Sequence, residues 1–193
     1  MSPVVPIERF QRLFAEARQR EAHDATAVTL ATATPDGRPS ARVVLLKQAD
    51  ERGFVFYTNL GSCKARELEA NPRAALCFHW PALGRQVRVD GTVGRVDDAE
   101  ADAYFAGRPR GSQLGAWVSR QSEPLASREE LLARFRDVEA RFSGGDVPRP
   151  GFWGGYRLAP ERIEFWESQE DRLHVRTLYL RDGDGWRVES LYP

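Results

Sequence analysis

The sequence has few cysteines, histidines and methionines, and this scarcity limits the chemistry it can support. Its 193 residues include two cysteines, three histidines and one methionine. Cys63 and Cys77 fit neither a disulfide framework nor the ligand spacing of a zinc site. Two isolated cysteines in a chain of this size are typical of reduced thiols in the cytoplasm. We therefore expect a cytoplasmic protein that binds no metal.

The chain also lacks an excess of either charge, and it lacks long apolar runs. Lys and Arg together number 28, as do Asp and Glu, so the formal net charge is zero. Nucleic-acid-binding domains usually carry a basic excess, so we expect no nucleic-acid partner. No apolar run approaches the roughly 18 residues of a membrane span, and the N-terminus lacks a signal-peptide pattern. We expect one domain, 1–193, with no membrane partner.

Hydrophobic periodicity predicts a mainly β chain with flanking helices. Apolar residues recur at helical spacing near the start, which makes residues 1–21 an N-terminal helical arm. Further helices are predicted over 62–70, 97–106, 113–119 and 127–142. Strands are predicted over 25–33, 42–47, 53–59, 74–80, 86–96, 161–167, 173–180 and 186–191. Short strands joined by hairpin turns favour a closed or nearly closed barrel with helices packed outside.

Two cations stand at the ends of one apolar strand, and a Tyr-Thr pair follows on the next. Arg42 and Lys47 enclose the run VVLL, and Tyr57 and Thr58 end the strand over 53–59. An anion site built on a sheet needs a frame of this kind. Taken singly, these side chains would most often be solvated strand ends. The residues alone therefore predict a β-barrel with cations and leave the ligand open.

Longer motifs resemble a known family. RVVLLK over 42–47 with FYTN over 56–59, and GFWGGYRL, EFW and DRLHVR between Gly151 and Arg176, resemble the pyridoxamine 5′-phosphate oxidases. These are FMN enzymes that make pyridoxal 5′-phosphate, and the resemblance runs from about Arg20 to Pro193. It implies an FMN-binding split β-barrel that is active as a homodimer, with FMN in the cleft between subunits.

The resemblance implies a set of FMN contacts. Arg42 would lie at the FMN phosphate end, Gln86 beside the isoalloxazine ring, and four residues (Gln121, Ser122, Trp166 and Arg176) would arrive from the second subunit. The complete set is Arg42, Val43, Val44, Leu45, Leu46, Lys47, Tyr57, Thr58, Lys64, Gln86, Gln121, Ser122, Trp166 and Arg176.

The resemblance also implies a substrate site and a reaction. The substrate 5′-phosphate would be held by Lys47, Tyr104, Arg108 and Ser112. Arg172 and His174 would be the catalytic pair over the pyridine ring, and a spacing of two on a strand would put both on one face. The expected reaction oxidises pyridoxamine 5′-phosphate or pyridoxine 5′-phosphate with O₂, giving pyridoxal 5′-phosphate and H₂O₂.

The sequence departs from the family at Cys63, where most relatives have arginine, and at Val175, where an acid is common. Two other functions are consistent with the motifs. One is a split-barrel flavin oxidoreductase that acts on another substrate, and the other is a non-catalytic protein that binds FMN or pyridoxal phosphate. Retention of Arg172, His174 and the phosphate-binding set favours the oxidase over both.

Overall fold

The computed structural model describes residues 5–193, which form helices around one sheet. The α-helices are α1 Pro6–Arg20, α2 Cys63–Ala70, α3 Asp98–Ala106, α4 Arg110–Val118 and α5 Arg128–Arg141. The strands are β1 Ala27–Ala33, β2 Pro39–Leu45, β3 Gln48–Asp50, β4 Gly53–Asn59, β5 Arg73–Trp80, β6 Arg85–Arg95, β7 Trp153–Glu167, β8 Val175–Asp182 and β9 Gly185–Leu191. Short 3₁₀ helices cover Pro81–Leu83 and Glu170–Arg172. Of the helices within 5–193, none has both the length and the apolar character to cross a membrane.

The strands form an antiparallel sheet in the order β2-β1-β5-β6-β7-β4-β3, with β8 paired to β7 and β9 to β8. Strand β7 pairs with β6 along one edge, while its other edge pairs first with β4 and then with β8. The sheet therefore divides along β7 and curls into a half-barrel. The predicted fold, a mainly β split barrel with flanking helices, is confirmed.

Helix α1 covers the inner face of the curled sheet. The Phe10 ring lies 4.8 Å from that of Phe54, 4.9 Å from Phe78 and 5.8 Å from Trp80, centroid to centroid. Aromatic rings at these separations add stabilisation beyond the area they bury. Of the N-terminal arm predicted over 1–21, the helix Pro6–Arg20 therefore packs on the core, and residues 1–4 lie outside the described residues.

Strand β7 is longer than predicted. The sequence indicated a strand only over 161–167, because Gly154, Gly155 and Pro160 are poor strand formers. In the structure, Gly155 lies under the Tyr57 ring, where a Cβ would come within 2.7 Å of a ring carbon. Pro160 lies opposite Gly91, beside the register shift between β6 and β7. Close backbone approach and a bulge explain these residues within a strand.

The strand predicted over 42–47 is displaced along the chain. Strand β2 ends at Leu45, and Leu46 turns inward to become part of the core at 3% exposure. Lys47 follows the strand, and its backbone N–H donates to the Val55 carbonyl. The short strand β3 was not predicted. Strand β2 ends here because the chain changes partners: the Leu46 N–H donates to the Thr26 carbonyl, whereas the Lys47 N–H already pairs with β4.

Candidate active site

A cavity of about 900 Å³ opens between β2, β4 and the helices α2 to α4. It is lined by four cations, and no acidic side chain of the described residues lines it. The structure brings most of the predicted site residues together here: Arg42, Val43, Val44, Leu45, Lys47, Tyr57, Thr58, Lys64, Tyr104, Arg108, Ser112, Gln121 and Ser122. Leu46 is in the core instead. A cationic cavity without acids is suited to anionic ligands.

The first turn of α2 forms one wall of the cavity. Ser62 caps the helix, and its Oγ accepts a hydrogen bond from the Ala65 N–H. Lys64 Nζ donates to Thr58 Oγ1 at 3.2 Å and to Gln121 Oε1 at 3.1 Å. Burial, and then the nearby Arg42, lower the pKa of Lys64. The helix N-terminus and a partly desolvated ammonium together favour a bound anion.

Gln121 and Ser122 belong to this cavity in the same chain. Thr58 Oγ1 donates to Gln121 Oε1 at 2.9 Å, and the Cys63 N–H donates to Ser122 Oγ at 3.1 Å. The expectation that Gln121 and Ser122 arrive from a second subunit was therefore wrong. The segment after α4 returns to the end of β4, because Asn59 Nδ2 donates to the Ser119 carbonyl at 2.9 Å.

Arg42 is an ion-paired cation of the cavity. Its Nη2 lies 3.0 Å from Glu67 Oε2, and the Glu67 side chain is 12% exposed. Glu67 also accepts hydrogen bonds from Ser40 and Thr32. Sequence reasoning missed Glu67. Glu67 follows Lys64 by three residues on a predicted helix, so both side chains lie on one side of it. This spacing could have indicated that Glu67 lies near the cavity.

Arg108 is held differently, by aromatic rings. Its Cζ lies 4.7 Å from the Trp153 ring centroid and 5.4 Å from that of Phe105. Its Nη1 is buried and has no hydrogen-bond partner among the described residues. Burial lowers the pKa of Arg108. Tyr57 and Tyr104 stack beside this group with centroids 4.0 Å apart, and burial raises the pKa of Tyr57 to about 12.

Three predicted residues form a second group, away from the cavity. Gln86, Trp166 and Arg176 are neighbours in register across β6, β7 and β8. Arg176 is fixed by Glu164, whose Oε1 accepts from its Nε at 2.8 Å and lies 2.7 Å from its Nη2. These three residues do not line the cavity of their own chain.

Arg172 and His174 adjoin the second group but are not on a strand. The expectation that they share one face of a strand was wrong, because β8 begins only at Val175. Asp171 and Arg172 have positive φ angles of 52° and 61°, so the chain turns sharply there. His174 lies with its ring 4.5 Å from that of Trp166, and its Nδ1 accepts from the Gln169 N–H at 3.2 Å.

Comparison with family models covers most of the chain. Residues 14–142 match the model described as pyridoxamine 5′-phosphate oxidase. Residues 153–193 match the model described as the pyridoxine 5′-phosphate oxidase C-terminal dimerisation region. A pyridoxine/pyridoxamine 5′-phosphate oxidase of Rubrobacter xylanophilus is 64% identical over 188 residues, which cover 97% of this chain and 87% of the relative.

Solved structures agree with these matches. PhzG from Burkholderia lata, in complex with tetrahydrophenazine-1-carboxylic acid, is 36% identical with a TM-score of 0.94, covering 100% of this chain and 94% of PhzG. A pyridoxamine 5′-phosphate oxidase-related, FMN binding protein of Nostoc punctiforme shares the fold at 21% identity and a TM-score of 0.77, with complete coverage of both chains. With its cationic cavity and its two family matches, the chain belongs to the pyridoxine/pyridoxamine 5′-phosphate oxidase family.

Proposed function

We propose that the protein oxidises pyridoxamine 5′-phosphate or pyridoxine 5′-phosphate to pyridoxal 5′-phosphate, using FMN and O₂ and releasing H₂O₂. Membership of the family makes it an oxidoreductase. The observation that carries the proposal is the cavity with four cations and no acid among the described residues, in which Arg108 keeps a buried Nη1 without a partner. Four cations with no acidic side chain among the described lining residues leave an excess of positive charge that an anionic ligand would neutralise.

The donors of the cavity are suited to two phosphate groups. At the start of α2, Lys64, Thr58 and Ser122 would hold the FMN phosphate. The substrate phosphate would be held by Lys47, Tyr104, Arg108 and Ser112, which line the same cavity. Charge-assisted hydrogen bonds from several donors are what a dianionic phosphate requires.

When bound, FMN would supply a group that accepts a hydride and is reoxidised by O₂. The residues of this chain would bind the cofactor and the substrate and orient them relative to each other. Arg172 and His174 would hold the pyridine ring in a reactive orientation, which is an entropic contribution to the rate. Arg176 would present a guanidinium held in place by Glu164, so that little reorganisation is needed when negative charge develops nearby.

The proposed site requires a second copy of the chain. Gln86, Trp166 and Arg176 lie together outside the cavity of their own chain, yet the proposed cofactor contacts include residues of both groups. A homodimer would bring one group against the cavity of the partner. The match of residues 153–193 to a dimerisation region supports this assembly.

A second candidate is a flavin oxidoreductase that acts on another substrate. Its support is the similarity to PhzG, whose structure contains a tetrahydrophenazine carboxylic acid. A carboxylate carries one charge, whereas Lys47, Tyr104, Arg108 and Ser112 offer two cations and two hydroxyls to the ligand. This donor set favours a phosphate, and with it the oxidase.

The test is aldehyde formation from pyridoxamine 5′-phosphate in air by purified protein loaded with FMN. We expect pyridoxal 5′-phosphate and H₂O₂ in equal amounts. Bound flavin that this substrate does not reduce, but tetrahydrophenazine-1-carboxylic acid does, would favour the second candidate. Bound flavin that neither compound reduces would indicate a non-catalytic FMN or pyridoxal phosphate carrier and would overturn the proposal.

A further inference from the structure

We infer that Trp153 is a positioning residue that holds the Arg108 guanidinium toward the cavity and thereby sets the preference for phosphorylated over unphosphorylated ligands. This inference rests on the proposed function, in which Arg108 contacts the substrate phosphate. Trp153 acts through Arg108.

The Arg108 side chain depends on aromatic faces for its position. Its Cζ is 4.7 Å from the Trp153 ring centroid and 5.4 Å from that of Phe105, within the range of cation–π attraction. Among residues 5–193 it has no ion pair, and its buried Nη1 has no hydrogen-bond partner. The rings are therefore the groups that fix a guanidinium which would otherwise sample several rotamers.

The manner of support determines how much charge remains for a ligand. Arg42, the other arginine of the cavity, is paired with the Glu67 carboxylate at 3.0 Å, which offsets its charge. An aromatic face attracts the guanidinium through its quadrupole and leaves the net charge in place. Arg108 consequently offers a full positive charge, in partly desolvated surroundings, to a dianion.

Trp153 is itself rigidly held. It is buried at 6% exposure, stacks on Tyr57 at 5.3 Å with an interplanar angle of 5°, and meets Phe105 edge-on at 5.0 Å. Its carbonyl accepts a hydrogen bond from Arg149 Nη1 at 2.8 Å. Because the Trp153 ring is itself held by these contacts, it limits the positions that the Arg108 guanidinium can adopt.

The test compares pyridoxal 5′-phosphate with pyridoxal as ligands of the FMN-loaded protein, measured by their dissociation constants. In Trp153→Leu, which removes the π face, we expect the preference for the phosphorylated ligand to fall about tenfold, while pyridoxal binds as before. Trp153→Phe keeps a smaller aromatic face, so its preference for the phosphorylated ligand should fall less than that of Trp153→Leu. In turnover, the KM for pyridoxamine 5′-phosphate should rise more than kcat falls. All variants are compared at saturating FMN, because Trp153 also stacks on Tyr57, one of the proposed FMN contacts.

Two further variants separate positioning from a general loss of packing. Trp186→Leu removes a tryptophan that also lies under an arginine, with Arg181 Cζ at 5.3 Å, and should leave the preference unchanged. In an Arg108→Gln background, Trp153→Phe and Trp153→Leu should have no further effect on the preference, because coupled residues are not additive.

Wild-type preference in both Trp153→Phe and Trp153→Leu would overturn the inference. If Trp153→Leu does not fold, Trp153→Phe alone provides the test. The inference is then overturned if Trp153→Phe keeps the wild-type preference, or if it loses as much preference in the Arg108→Gln background as in the wild type. If instead the wild-type protein itself does not distinguish pyridoxal 5′-phosphate from pyridoxal, the phosphate site of the proposed function fails, which is a separate result.

Discussion

Arg42 and Glu67 form an ion pair at the rim of the cavity, with Nη2 and Oε2 3.0 Å apart and side chains 21% and 12% exposed. Glu67 lies on α2 and Arg42 on β2, so the pair ties the helix that begins at the cavity to the edge strand of the sheet. Thr32 on β1 and Ser40 on β2 donate to the same carboxylate.

We expect Glu67→Ala to lower the free energy of unfolding by about 1–3 kcal/mol. The substitution leaves Arg42, Thr32 and Ser40 without their shared acceptor, and unsatisfied partly buried donors are costly. Urea denaturation of both proteins gives the difference. Glu16→Ala, which breaks an exposed pair with Arg20, should change stability little. Equal losses in the two variants would contradict the structural role of Glu67.

FMN affinity should fall as the pH rises through the pKa of Lys64 in the free protein. Burial and Arg42 lower that pKa below the ordinary 10.5, and a phosphate dianion beside the ammonium would raise it again, so binding takes up a proton. Tyr57, with a pKa of about 12, stays neutral over this range. Quenching of FMN fluorescence between pH 7 and roughly pH 10 measures the effect.

Lys64→Arg is the matched control, because a guanidinium stays charged over this range. Its FMN affinity should vary less with pH than that of the wild type. The same alkaline decline in both proteins would exclude Lys64 as the titrating group.

Cys63→Arg should tighten FMN binding by about tenfold. Cys63 lines the cavity beside the α2 N-terminus, and its thiol is at most a weak donor. A guanidinium could add charge-assisted hydrogen bonds worth about 1.5–3 kcal/mol, at about 1.4 kcal/mol per decade of affinity. Fluorescence titration measures the dissociation constant. Unchanged affinity would mean that the side chain at this position does not reach the phosphate.

Alkylation of the two thiols gives an independent measurement. Bound FMN should protect Cys63, which is exposed at the cavity. Cys77, half-buried on β5 and outside the cavity lining, serves as the internal reference and should react at the same rate with and without FMN. Equal rates at Cys63 in both states would remove it from the cofactor site.

Arg172→Ala and His174→Ala should slow reduction of the bound flavin without releasing it. Both residues are proposed to orient the substrate ring, and loss of one preorganised contact of this kind costs about 2–4 kcal/mol of barrier. Anaerobic stopped-flow absorbance follows the reduction. Arg181→Ala changes an exposed arginine of β8, and substrate should reduce the flavin bound to this variant at the wild-type rate. Wild-type rates in the two site variants would exclude these residues from the mechanism.

FMN binding and dimerisation should be linked. Arg42 and Tyr57 line the cavity of one chain, while Trp166 and Arg176 lie in the other group, so one flavin contacted by both groups needs two chains. Dilution should therefore release FMN as the dimer dissociates, which size-exclusion chromatography and flavin titration can follow together. A monomer that binds FMN at full stoichiometry would contradict the shared site.

The sequence by itself determined the local features of this protein. Ser62, Asp97 and Ser127 each cap a predicted helix, and their side chains accept from the N–H three residues later. Most predicted strands appear at the predicted places. The motifs around Arg42 to Lys64 and around Tyr104 to Ser112 meet in one cavity, as the family resemblance implied.

Tertiary structure decided which of the predicted residues meet within one chain and where β7 begins. Gln121 meets Thr58 in its own chain, while Trp166 and Arg176 lie elsewhere on the sheet. No repeating pattern in the sequence indicates that Gly155 packs under the Tyr57 ring. Nor does one indicate the turn before His174, where two residues have positive φ angles. Side-chain periodicity and helix capping depend on residues close together in the chain, so the sequence predicts them. Curling of the sheet brings together residues far apart in the chain, and local patterns do not predict those contacts.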